Sequence, residues 1–167
     1  MSGRLYAFLS FPGVIIHEWA HKKFCNWSGV PVYKVVYFSF GNPAGYVIHA
    51  QPQKYGQTFW ISVGPLIINS LLTIGLSYLS TKIEFGTLSY YLLLWVALSI
   101  GLHAFPSNQD AKNVFAESKR VLRRGGSILH LFAYPFYGLI LLANRLRCLW
   151  FDLFYAIILL AIGGYII

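Results

Sequence analysis

The sequence predicts an α-helical polytopic membrane protein, with about five transmembrane helices and a small membrane-surface β-hairpin between the first and second. Three observations carry this expectation. Hydrophobic residues make up 57% of the 167 positions and charged residues only 11%, against roughly 25% charged in a soluble domain. The apolar residues gather in long runs, each approaching the ~20 residues needed to cross a hydrocarbon core. The net charge of +8 falls in the gaps between those runs. That is the pattern of topology signals and anionic-lipid contacts rather than of a nucleic-acid surface, so anionic lipids are expected as partners and nucleic acid is not. Cys25 and Cys148 lie in unrelated segments and form neither a C-x-x-C pair nor a disulfide framework. The length suits a single domain over residues 1–167: a three-helix core over about residues 5–110, an interfacial helix over 111–126 and two scaffold helices over 127–167.

The first membrane segment is expected over Leu5–Phe24. Arg4 before an apolar run resembles a signal peptide, but no small-x-small cleavage site follows, so the segment is read as a retained helix. It ends in His17-Glu18-Trp19-Ala20-His21, an H-E-x-x-H pattern. Residues four apart stack on one helix face. His17 and His21 can therefore each offer a ring nitrogen to one zinc ion, at about 2.0–2.1 Å. Glu18 sits about 100° round the same turn, beside the metal as a base for water and not as a ligand. An acid and two histidines at the end of an apolar run are costly unless paired or bound to something, which favours a metal site over a structural cluster.

The long gap that follows carries Lys22, Lys23, Lys34 and Lys54. Within it Val32–Phe40 is rich in Val, Tyr and Phe, Gly41–Gly45 reads as a turn and Tyr46–His49 resumes the apolar pattern. This predicts a β-hairpin at the membrane surface. Its role is either to pack the site or to offer an edge strand to an extended substrate, and packing is the reading preferred.

The second segment, Thr58–Ser80, contains Gly64-Pro65 and, four residues on, Asn69. Pro65 removes a helical hydrogen bond and kinks the helix. Gly64, Ser70 and Gly75 would allow close helix approach. Asn69 needs a polar partner in lipid, and either glues helices together or holds a substrate backbone.

The third segment, Leu88–Phe105, leads into Pro106-Ser107-Asn108-Gln109-Asp110. A catalytic zinc takes three protein ligands plus water. Two crossings separate the ends of the first and third segments, which places them on the same side of the membrane, and Pro106 lets the next turn fold back. Asp110 is thus the first choice for the third ligand. It also fits a capping box with Ser107 at the head of an amphipathic helix running to Arg124. His103, about 10 Å deeper at 1.5 Å per residue, is the alternative ligand, with His49 and His130 behind it. The basic residues of 110–124 predict an interfacial helix on anionic headgroups. The fourth and fifth segments, Ser127–Ala143 and Cys148–Ile167, read as scaffold. Charge in the first and third gaps puts those gaps in the cytoplasm, the N-terminus outside and the site near the cytoplasmic side.

The order His17–His21, then Gly64-Pro65…Asn69, then Pro106…Asp110 resembles the intramembrane zinc metalloproteases of the site-2 protease type. The likeness covers roughly the first two-thirds of the chain, and H-E-x-x-H carries most of its weight. It implies a zinc-dependent endopeptidase that cuts within or beside a transmembrane segment of a membrane-protein substrate. His17, His21 and Asp110 would bind zinc, Glu18 would be the catalytic base and Asn69 would hold substrate. The chain departs from the family's pattern in two places. Asn69 lies four residues after Pro65 rather than three, and Gln109-Asp110-Ala111 stands where the family has Leu-Asp-Gly. No PDZ-like insertion is visible, which makes this a minimal version. A metal-binding membrane protein without hydrolysis, pseudo-protease or chaperone-like, is the alternative, and a transporter is a third class.

Overall fold

The computed structural model describes residues 3–123, 133–146 and 150–165. These form seven helices and one two-stranded antiparallel sheet in the order α1 (Gly3–Leu9), α2 (Phe11–Trp27), β1 (Val32–Val36), β2 (Tyr46–His49), α3 (Tyr55–Ser80), α4 (Leu88–Leu102), α5 (Asn108–Arg123), α6 (Ala133–Leu146) and α7 (Phe151–Tyr165). Among the described residues only α3 is long and apolar enough to cross a membrane, and α4 and α7 are shorter apolar helices.

The single helix expected over Leu5–Phe24 is two helices. The break falls at Ser10, with Pro12 in the first turn of α2. Proline has no N–H to donate and its ring crowds the carbonyl four residues back, so a helix begins there more easily than it continues. Ser10 closes the gap by donating its hydroxyl to the Tyr6 carbonyl at 2.7 Å. The third segment is also shorter than expected. Its helix ends at Leu102, and His103–Ser107 forms a non-helical link before α5. Arg124, His130 and Cys148 lie outside the described residues.

Helix α3 is the centre of the assembly and packs against α2, α4, α5 and α7. Its buried face carries Asn69, Thr73 and Ser77, spaced four apart and so on one side. Thr73 Oγ1 reaches the Ala97 carbonyl of α4 at 3.2 Å, and Ser77 Oγ donates to the Leu160 carbonyl of α7 at 2.6 Å. The outward faces are apolar: Leu79 is 52% exposed, Leu88 74% and Phe154 65%. Polar side chains thus join the helices while large hydrophobic ones point away.

Close approach depends on small residues. A Cβ at Gly13 of α2 would overlap the Ser99 carbonyl of α4. Gly13→Ala is therefore expected to lower stability by at least the ~1–3 kcal/mol typical of overpacking, read as a drop in the thermal unfolding temperature of the full chain in detergent. Gly64 fits the expectation of close approach, since a Cβ there would overlap the Phe24 ring. Gly75 does not, because nothing lies within 4 Å of the same position.

The expected hairpin is present but shorter. Strand β1 ends at Val36 rather than Phe40, and Val36 pairs with Tyr46, Val35 with Val47 and Lys34 with Ile48. Residues 37–45 form a loop lying on the start of the chain. Phe38 meets Phe11 with ring centroids 6.0 Å apart, and Phe40 meets Phe8 at 5.9 Å. At the base of the hairpin, Val32 and Ala50 pack on a buried cluster of Cys25, Val30 and Ile61. This fixes the hairpin against α2 and α3.

Candidate metal centre

One face of α2 carries Val14, Glu18, His21 and Cys25, all buried, with His17 beside them. The imidazoles of His17 and His21 meet edge to face, their centroids 4.8 Å apart. Each ring is held by a backbone carbonyl. His17 Nδ1 donates to the His103 carbonyl at 2.7 Å, and His21 Nδ1 donates to the Ile61 carbonyl at 2.9 Å. A carbonyl only accepts, so each Nδ1 carries a proton, and in the neutral ring each Nε2 then presents a lone pair.

Asp110 arrives from the other end of the fold. It stands in the first turn of α5, and Ser107 caps that turn. The Ser107 backbone N–H and hydroxyl both donate to Asp110 Oδ2, at 2.8 and 2.6 Å, and the Asp110 N–H returns to Ser107 Oγ at 3.2 Å. The two readings of Asp110 are therefore compatible. The same carboxylate closes the capping box and lies 3.6 Å from His21 Nε2. Burial works to raise the Asp110 carboxyl, but the adjacent His21 and His17 and the Ser107 hydroxyl outweigh it and hold it well below the usual carboxylate range. It is ionised at neutral pH, as a metal ligand must be.

The geometry suits a cation. His17 Nε2 and His21 Nε2 lie 3.1 Å apart, and ligand atoms of His17, His21 and Asp110 all fall within 4.8 Å of one another. Two imidazole nitrogens and a carboxylate oxygen at such separations need a positive charge among them, which either a proton on His21 Nε2 or a bound cation supplies. Tetrahedral zinc with bonds of about 2.0–2.1 Å would set its ligands about 3.3 Å apart, close to the 3.1 Å between the two Nε2 atoms and the 3.6 Å from His21 Nε2 to Asp110 Oδ2. Two nitrogens and one oxygen are also a donor set that zinc accepts, with a fourth position left for water or substrate.

Glu18 is 9% exposed and lines the same cavity of about 600 Å³ as the three candidate ligands. The hairpin loop covers it. A Cβ at Gly45 would stand 2.7 Å from Glu18 Cγ and 3.0 Å from the Tyr37 carbonyl, so only glycine lets the loop come this close. The role of Gly45 was hidden in the sequence, where it reads simply as part of a turn. A second cavity of about 310 Å³ also borders Asp110, with Thr58, Asn113 and Glu117 in its wall.

The other sequence candidates are placed differently. His103 is not among the converging ligands. Its Nε2 lies 2.8 Å from Ser10 Oγ and its ring rests near Tyr6, centroids 5.5 Å apart. The Ser10 hydroxyl already donates to Tyr6, so the His103 Nε2–H is the donor between them. His103 touches the site through its backbone carbonyl, a contact no sequence pattern announces. Asn69 is fully buried and is not part of the cavity wall. Its Nδ2 donates to the carbonyls of Ile100 at 3.3 Å and His103 at 3.0 Å. Its Nδ2 joins α3 to the end of α4, while its buried Oδ1 has no hydrogen-bond partner among the described residues. His49 borders both cavities, with Nδ1 on the Ala50 carbonyl at 2.7 Å. No protein-family model, curated protein or solved structure matches the chain.

Proposed function

We propose that this chain is a zinc-dependent intramembrane endopeptidase, hydrolysing a peptide bond within or next to a transmembrane segment of a membrane-protein substrate. The single observation that carries the reading is the meeting of His17, His21 and Asp110 ligand atoms within 4.8 Å, with the Glu18 carboxyl in the same cavity. His17 Nε2, His21 Nε2 and the Asp110 carboxylate would hold the metal. A bound zinc ion would supply Lewis acidity toward a carbonyl and a water. Glu18 takes the proton of the attacking water on its carboxylate and delivers it to the leaving amine nitrogen. The Ser107 donors and the two backbone carbonyls keep the ligands aimed inward while this happens. The substrate enters locally unwound, because the amides of a lipid-embedded helix are hydrogen-bonded within it and closed to attack.

We also read the chain as multi-pass, with the site near the cytoplasmic side. The support is the inverted burial: serine, threonine and asparagine between the helices, and exposed leucine and phenylalanine outside. A surface so apolar suits lipid rather than water. The basic residues Lys112, Lys119, Arg120 and Arg123 all lie on the exposed side of α5, where anionic headgroups would meet them.

Metal removal tests the activity. A purified full-length chain in detergent micelles, given a fluorogenic transmembrane peptide, is expected to lose cleavage on treatment with a zinc chelator and to regain it with added zinc. Cleavage that survives complete removal of metal rejects the metalloprotease reading.

A further inference from the structure

Both candidate histidines take their orientation from carbonyls that a regular helix would not offer. The Ile61 carbonyl sits inside α3. In an unbroken helix it would accept from the N–H four residues on. That residue is Pro65, which has no N–H, so the carbonyl is left open and His21 Nδ1 occupies it at 2.9 Å. The His103 carbonyl follows the last turn of α4, where helix ends leave carbonyls without intrahelical donors. Asn69 Nδ2 donates to it at 3.0 Å and to the Ile100 carbonyl at 3.3 Å. This pins the end of α4, and the remaining lone pair of the His103 carbonyl meets His17 Nδ1 at 2.7 Å.

We infer that Pro65 and Asn69 of α3 are paired positioning residues for the metal centre, Pro65 acting on His21 through the Ile61 carbonyl and Asn69 acting on His17 through the His103 carbonyl. Their spacing of four residues has a physical sense in this light. It puts the two on one face of α3, and both side chains are fully buried there. At a spacing of three, the amide would turn about 100° away from the end of α4. The pair fixes the Nδ1–H tautomer of both rings, leaving both Nε2 atoms to the cation, as outer partners of ligating histidines do.

This inference rests on the metal-site reading above, and the experiment separates the two. Zinc affinity of the full chain in detergent is measured by competition with a chromophoric chelator, and the visible spectrum of the cobalt(II) form is recorded. The variants are Pro65→Ala, Asn69→Leu and, as control, Thr73→Val. Thr73 is one turn further along the same face, reaches the α4 carbonyl of Ala97 and lies outside the site. Asn69→Leu is expected to weaken zinc binding by the about 10–100-fold seen when an outer partner is lost. Pro65→Ala restores a backbone N–H that competes with His21 for the Ile61 carbonyl. It is expected to weaken zinc and alter the cobalt spectrum while the unfolding temperature without metal stays level or rises, since alanine suits a helix better than proline. A purely structural proline would not move affinity and stability in opposite directions. Asn69→Ala serves the same comparison if the leucine variant does not fold. Wild-type zinc binding with unchanged affinity in the Pro65 and Asn69 variants overturns the inference alone. So does an equal loss in Thr73→Val. A wild-type chain that binds no zinc overturns the metal site and this inference together.

Discussion

Glu18→Gln is expected to lower the cleavage rate by about 10²–10⁴-fold, the contribution of a positioned general base, with zinc content unchanged. Glutamine has nearly the shape of glutamate, so it fits beneath the hairpin loop where Gly45 leaves room. It does not accept a proton at neutral pH, and that is the property removed. The three groups that converge are His17, His21 and Asp110, so the metal's hold is untouched. Rate measured on a fluorogenic peptide and zinc measured by elemental analysis of the same preparation give the two halves of the result. Full activity in Glu18→Gln would show that Glu18 is not the base. Zinc bound by the wild type with no cleavage of any transmembrane peptide would instead favour the non-hydrolytic metal-binding reading.

His21→Ala should remove the metal itself. His21 is the middle of the group, with its Nε2 3.1 Å from His17 Nε2 and 3.6 Å from Asp110 Oδ2. Losing it leaves one imidazole and one carboxylate, too few for a closed zinc site. The affinity is expected to fall by more than the about 10–100-fold that follows loss of an outer partner, and cleavage to fall to background. The fold should survive. Asp110 keeps its two Ser107 donors, so its carboxylate is not stranded. The Ile61 carbonyl loses its donor, a buried vacancy that costs about 1–3 kcal/mol. Thermal unfolding without metal should therefore shift modestly while zinc binding disappears. Zinc content equal to wild type in this variant would dismiss the proposed site.

Residues close in sequence were the legible part. His17 and His21 share a face because a helix repeats every 3.6 residues, and no long-range contact alters that. The Ser107–Asp110 capping box is a local motif and is found as read. The hairpin was visible from its apolar strands and its turn, although β1 stops at Val36 because the next residues turn onto the Phe8 and Phe11 rings. Asp110 came from a topological argument about the ends of two segments rather than from any local pattern, and it does approach His21.

What stayed hidden depends on backbone groups and on distance. A carbonyl has no letter in the sequence, so the partners of both Nδ1 atoms were invisible until α3 and the end of α4 were set beside α2. Asn69 was legible as polar, but whether it faced a substrate or a neighbouring helix depended on how α3 turns against α4. His103 drew notice for its ring, and its backbone proved to be the part that touches the site. By itself, the chain determined which side chains share a helix face, because that follows from bond geometry within one turn. Only the tertiary packing decided which carbonyls those side chains meet and that an aspartate 89 positions after His21 joins them. Such meetings depend on how separate helices approach, and that approach is settled by the summed contacts of every buried face.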